Sequence, residues 1–160
     1  MAWALNEIMV IAAPFIETRL NNEMYVAYYD IMVRHAFGNF RDILREISFS
    51  SIMGEGVSFI NSKSTAYFFR ESNIIVQPDE NYAREIMQLF TMGTCKLNLD
   101  GTKKATSIQS CIKTYTNADL MEYSRAWTGF VLNKYRGNIE SQDDKNRVDP
   151  MDIQTDARDP

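Results

Sequence analysis

Apolar residues recur through most of this chain every three or four positions rather than every second one, which predicts helices joined by polar connections. Trp3, Ala4, Leu5, Ile8, Met9, Ile11 and Ala12 share one wide helical face, and Pro14 closes it. Asn21 and Asn22 can cap a second helix running to about Phe37, with Tyr25, Tyr28, Tyr29, Met32, Val33 and Ala36 at helical spacing and Gly38 as its stop. Asp30 and Arg34 stand four apart on it, close enough to pair. Asn39 caps a third helix with Phe40, Ile43, Leu44 and Ile47 on one side, and the short connection Gly38-Asn39 makes these two helices close neighbours. Ser50 or Ser51 opens a further helical turn through Met53 and Phe59, although Gly54 and Gly56 weigh against it.

The pattern fades between Asn61 and Gln77, and Pro78-Asp79 then opens the clearest helix of the chain. Tyr82, Ala83, Ile86, Leu89 and Phe90 form its apolar stripe, Asp79 and Glu80 suit its positive end, and Gly93 stops it. The stretch from Thr94 to Thr114 is long and polar, with Asp100-Gly101-Thr102 allowing at most a small hairpin or turn. Thr116 with Asp119 reads as a capping box, with Asp in place of Glu or Gln, ahead of Leu120, Tyr123, Ala126 and Trp127; Gly129 ends that helix. There is no repeat and no long β-branched alternation. The expected class is all-α: an irregular multi-helix bundle with one long polar loop at about 94–114 and a disordered acidic tail. The helical domain is expected over 1–138 and the mobile acidic tail over 139–160.

Composition sharpens that division. A length of 160 residues suits one domain, and 45% apolar with 24% charged residues is ordinary for a globular chain. Of 17 basic and 21 acidic residues, three bases and seven acids fall between Glu140 and Pro160, so the tail carries −4 and the remainder, with fourteen of each, is neutral. A neutral body with an acidic tail argues against nucleic acid as a partner, since such binders concentrate Lys and Arg on one face. The longest apolar run, Ile8 to Ile16, is too short to span a membrane and contains Pro14. It does not suit an export signal either, because Glu7 precedes it and no Lys or Arg occurs before Arg19. Cys95 and Cys111 lack the CxxC spacing of a zinc site and read as two ordinary thiols rather than as a disulfide or metal pair.

Several chemistries drop out. His35 is the single histidine, which leaves no site with two His ligands and makes a serine-hydrolase constellation poor; its place near a helix end suits a structural role, with proton transfer as the lesser reading. Gly54-Glu55-Gly56 resembles the start of a dinucleotide loop, but Phe59 replaces the third glycine. Asn98, Asp100 and Gly101 resemble part of a calcium loop, but Lys96 and Ser107 occupy its first and last ligand positions. No cofactor-binding or metal-ligating residues are therefore assigned. The densest polar cluster within apolar sequence is Asn81-Tyr82-Ala83-Arg84-Glu85 with Gln88. Together with Asp30, Arg34, Arg41, Asp42 and Arg125, its Asn81, Arg84, Glu85 and Gln88 are expected to form a structural polar network. A buried network of this kind fixes helix register more often than it holds a ligand. The catalytic alternative draws on Glu85, Arg84 and His35.

Three blocks carry a resemblance: His35-Ala36-Phe37-Gly38-Asn39-Phe40-Arg41-Asp42-Ile43-Leu44, the segment from Pro78 through Asn81-Tyr82-Ala83-Arg84-Glu85 to Gly93, and Tyr115 to Asp119 with Arg125-Ala126-Trp127-Thr128-Gly129-Phe130. In order and spacing they resemble the family called domain of unknown function 1800, over about Trp3 to Phe130. Departures are small: Phe130 stands where the family usually has Trp, and Cys95 where an apolar or aromatic residue is commoner. The resemblance implies a longer, mainly bacterial protein, often exported or envelope-associated. It also implies a neighbouring gene product resembling the alkaline-phosphatase superfamily as a protein partner, and it transfers no catalytic residues. The leading expectation is an uncharacterised helical scaffold or interaction domain. A hydrolase-like enzyme is the alternative, and a truncated, non-functional piece is the third reading.

Overall fold

A computed structural model describes residues 1–11, 22–63, 77–108, 110–134 and 146–159. Its helices are α1 (Ala2–Ile8), α2 (Asn22–Arg34), α3 (Phe40–Phe49), α4 (Ser51–Gly56), α5 (Asn81–Glu85) and α6 (Asn117–Ser124). A π-helical turn, Ile86–Phe90, continues α5, and a 3-10 turn, Arg125–Trp127, continues α6. Strand β1 (Phe130–Val131) pairs antiparallel with β2 (Asp152–Ile153), Phe130 opposite Ile153.

Local sequence explains most helix boundaries. Asn39 accepts the Arg41 backbone N–H at 2.9 Å and starts α3, while Thr116 and Asp119 cap α6 reciprocally. Hydrogen bonds from the Thr116 backbone and hydroxyl hold the Asp119 carboxyl below its ordinary pKa. The expected extent of the first helix is shortened: α1 ends at Ile8, and Ala12 and Pro14, like Asn21, lie outside the described residues. Tyr28 of α2 donates to the Met9 carbonyl at 2.7 Å and so pins the end of α1. In α2 the buried side chains are Met24, Tyr28, Ile31 and Met32, whereas Val33 faces out. On α5 and its continuation, the π turn inserts an extra residue per turn and rotates the stripe. Met87 is therefore buried and Leu89, expected inside, is exposed.

The core sits where α2, α3 and α4 meet α5, α6 and the strands. At its centre Tyr82 stacks on Phe59 with ring centroids 4.4 Å apart and meets the Trp127 ring edge-on at 4.6 Å. Phe130 completes the group at 5.3 Å from Phe59, and Phe49 lies 5.6 Å beyond it. Edge-to-face and offset-stacked rings are the arrangements that the aromatic quadrupole favours.

Two expectations are overturned here. The fold is not all-α, and residues 146–159 are not a disordered tail. They return to the body: Met151 N–H donates to Phe49 O at 2.7 Å, and Gln154 N–H to Gly129 O at 2.8 Å. Asp159 N–H reaches the Thr128 hydroxyl at 2.8 Å. Met151 and Ala157 are buried while Asp152 and Asp156 face out, so the acidic composition masked a segment with its own apolar contacts. Gly129 is built for this return. Its φ is +80°, and a Cβ there would stand 2.7 Å from Gln154 O. The buried backbone of β1 needs partners, and the returning segment supplies them.

The long polar loop is also more ordered than expected. Cys95 and Cys111 form a disulfide, which corrects the reading of two ordinary thiols. Backbone pairing brings the cysteines together, because Cys95 lies beside Lys113 in an antiparallel bridge.

Candidate functional site

Where α2 gives way to α3 the chain gathers its titratable side chains. Arg34 closes α2, which stops short of the expected Phe37, and the five-residue connection His35–Asn39, longer than the expected Gly38-Asn39, brings Arg34 and His35 beside Glu46 of α3. His35 Nε2 lies 2.6 Å from Glu46 Oε1, and the Arg34 guanidinium donates to Oε2 of the same carboxylate. Burial alone would raise the Glu46 pKa. The hydrogen bonds from His35 and Arg34 outweigh it and hold the carboxyl below its ordinary 4.5.

This group opens on a groove of about 690 Å³ between α2, α3 and the returning C-terminal segment. Its titratable lining is Asp30, Arg34, His35, Asp42, Arg45, Glu46 and Arg147, and Met24, Ile31, Phe49 and Val148 are among its apolar walls. Arg147 is held by Glu55 at 2.9 Å. Arg45 is exposed and has no acidic partner among the described residues. Chemically, the arrangement offers an imidazole oriented by a carboxylate, beside guanidinium groups suited to carboxylate or phosphate.

The structure distributes the candidate residues of the sequence over separate local contacts. Arg34, His35, Asp30 and Asp42 line the groove; Arg84 and Glu85 do not. Arg84 pairs with Glu80 one helical turn earlier. Glu85 is partly buried, and its Oε2 has no hydrogen-bond partner among the described residues. Asn81 donates to the Ser58 hydroxyl at 2.8 Å, and its own N–H is capped by Asp79. Gln88 and Arg41 are exposed. Arg125 bonds Glu122 at 3.0 Å and the buried Asp159 carboxylate at 2.8 Å. Its pKa is raised by the hydrogen bond to Asp159 first, then by that to Glu122. The catalytic trio Glu85, Arg84 and His35 is thus split: His35 lines the groove and the other two lie elsewhere.

Sequence reasoning missed Glu46, Arg45, Arg147 and Ser58. The only signal for Glu46 was the shortness of the connection between α2 and α3, which makes the two helices neighbours without selecting the residue. Arg147 had no such signal, because it belongs to the segment read as a free tail. Among the described residues, no group of three His, Cys, Asp or Glu side chains could hold a metal ion, and no helix is long and apolar enough to cross a membrane.

Comparison with known proteins adds one finding. Residues 1–159 match the family described as protein of unknown function (DUF1800), and the chain belongs to that family. Neither a curated protein nor a solved structure matches it.

Proposed function

We propose that this member of the family is a non-catalytic helical scaffold that engages a protein partner. One observation carries the reading: several of its polar side chains tie one element of the fold to another. Arg34 and His35 fasten α2 to α3 through Glu46, Asn81 fastens α5 to the loop at Ser58, and Arg125 fastens α6 to the C-terminal segment through Asp159. Between those ties Tyr82 of the family-like segment is wholly buried against aromatic rings. The partner implied by the resemblance is a protein of the alkaline-phosphatase-superfamily type, and exposed apolar side chains such as Phe37 give it contact area.

The test substitutes Arg125→Ala and follows proteolysis of the C-terminal segment. Release of residues 146–159 supports the scaffold reading; unchanged protection contradicts it. Co-purification of the chain with the neighbouring gene product, lost in Phe37→Asp, supports the partner.

A hydrolase-like enzyme is the second reading, favoured by the 2.6 Å contact between His35 and Glu46 at the groove. Turnover of an ester or phosphoester that disappears in His35→Ala, with the melting temperature unchanged, would establish it.

A further inference from the structure

The disulfide-closed excursion from Thr94 to Thr114 combines charge and apolar exposure in a way that no other described part of the molecule does. It contains four lysines, Lys96, Lys103, Lys104 and Lys113, against Asp100 alone, a balance of +3. The remaining thirteen basic and twenty acidic residues leave −7 for the rest of the chain. All four lysines are exposed and, among the described residues, none has an acidic partner. Asp100 is engaged locally, accepting from the Thr102 N–H at 3.0 Å and from its hydroxyl at 2.7 Å. Leu97, Leu99 and Ile108 are exposed, Ile108 at 93% and Leu99 entirely.

The backbone of this excursion is tied into a ring. Lys96 N–H donates to Ile112 O, Lys104 N–H to Lys96 O, and Ile112 N–H to Lys104 O, each at 2.8 Å. Two turns leave that ring, one carrying Leu99 and the other Ile108. Leu97 lies opposite Lys103 in an antiparallel bridge, which places the two side chains on one face. Leu97, Leu99 and Lys104 line one shallow concavity. The Cys95–Cys111 disulfide closes the base, so little ordering remains to be done on binding.

We propose that this excursion is a peripheral docking element for an anionic phospholipid surface. Lysines held near a negatively charged leaflet gain from its surface potential, and apolar side chains at turn tips enter the boundary between headgroups and acyl chains. A protein partner would require a contiguous, shape-matched patch, whereas a lipid surface accepts separate apolar tips between mobile headgroups. The excess of positive charge is local, against an acidic remainder, which orients the molecule with this end toward the surface. A stable disulfide belongs to an oxidising compartment, so the leaflet concerned is one that faces such a compartment.

The experiment is sedimentation of the oxidised full chain with vesicles of phosphatidylcholine alone and of phosphatidylcholine with phosphatidylglycerol. Expected is binding to the anionic vesicles only, weakened by salt. Lys103→Glu with Lys104→Glu, and separately Leu99→Asp with Ile108→Asp, should each lower partitioning roughly tenfold or more. Thermal melts of both double variants confirm that they fold. Absence of binding by the unaltered chain overturns the proposal, as does binding that neither double variant changes. Equal binding to poly-glutamate, insensitive to Leu99→Asp with Ile108→Asp, assigns the excursion to an acidic protein and also overturns it.

Discussion

Tyr82 lies flat on Phe59, their planes 17° from parallel, while its hydroxyl stands 2.7 Å from the Ser48 hydroxyl. One side chain thus joins the aromatic core to α3. Burial, the largest effect, raises the phenol pKa, and the nearby Tyr123 adds to it; the Ser48 hydrogen bond opposes them. Since Ser48 also donates to Leu44 O at 2.6 Å, it keeps a partner when the phenol hydroxyl is removed. Tyr82→Phe is therefore expected to cost only about 1 kcal/mol in urea unfolding. A loss several times larger would mean that the hydroxyl supports more than this one contact.

Glu46 sets an acid limb on stability. Its folded carboxyl titrates below 4.5, so the unfolded chain binds the proton first, and the contribution present above that pH is lost as the pH falls through the folded value. Glu46→Gln should flatten the dependence of the melting temperature on pH below about 4.5. An acid limb identical to that of the unaltered protein would remove Glu46 from the account.

The disulfide closes a loop with a sequence separation of 16. A loop of that length is stabilised by about 3 kcal/mol through the unfolded chain. Cys95→Ser with Cys111→Ser should lower stability by up to that amount and raise amide exchange across 94–114. Titration of free thiols in the unaltered protein, unfolded without reductant, should find none.

Two glycines meet the returning segment differently. At Gly129 an added methyl meets backbone, Gln154 O at 2.7 Å, at a positive φ; at Gly54 it meets the Met151 sulfur, the movable end of a side chain. Gly129→Ala should thus cost about 1–3 kcal/mol and free residues 146–159 to protease, and Gly54→Ala distinctly less. The reverse order would contradict the packing described.

Features encoded by neighbours in sequence could be read in advance. Asn39, Thr116 with Asp119, and the stops at Gly93 and Gly129 each act within one helical turn. The sheet could not, because two-residue strands carry no period and Phe130 and Ile153 meet across 22 intervening residues. Met151 and Ala157 were too few to offset the acids around them, which hid the return of the C-terminal segment. The inversion of Met87 and Leu89 follows from a π turn that a regular helical period cannot anticipate. In the groove His35 and Arg34 could be named as chemistry-bearing residues. Their partner could not, since only the tertiary approach of α2 and α3 selects Glu46.

The central claim is that the family-like segment around Tyr82 holds the fold, while the groove at Glu46 is a surface feature attached to it. Side-by-side urea unfolding of Tyr82→Ala and Glu46→Ala tests it most directly. The account predicts a loss of about 3–5 kcal/mol for Tyr82→Ala and at most about 1 kcal/mol at neutral pH for Glu46→Ala. Equal losses, or a larger one at Glu46, would contradict it.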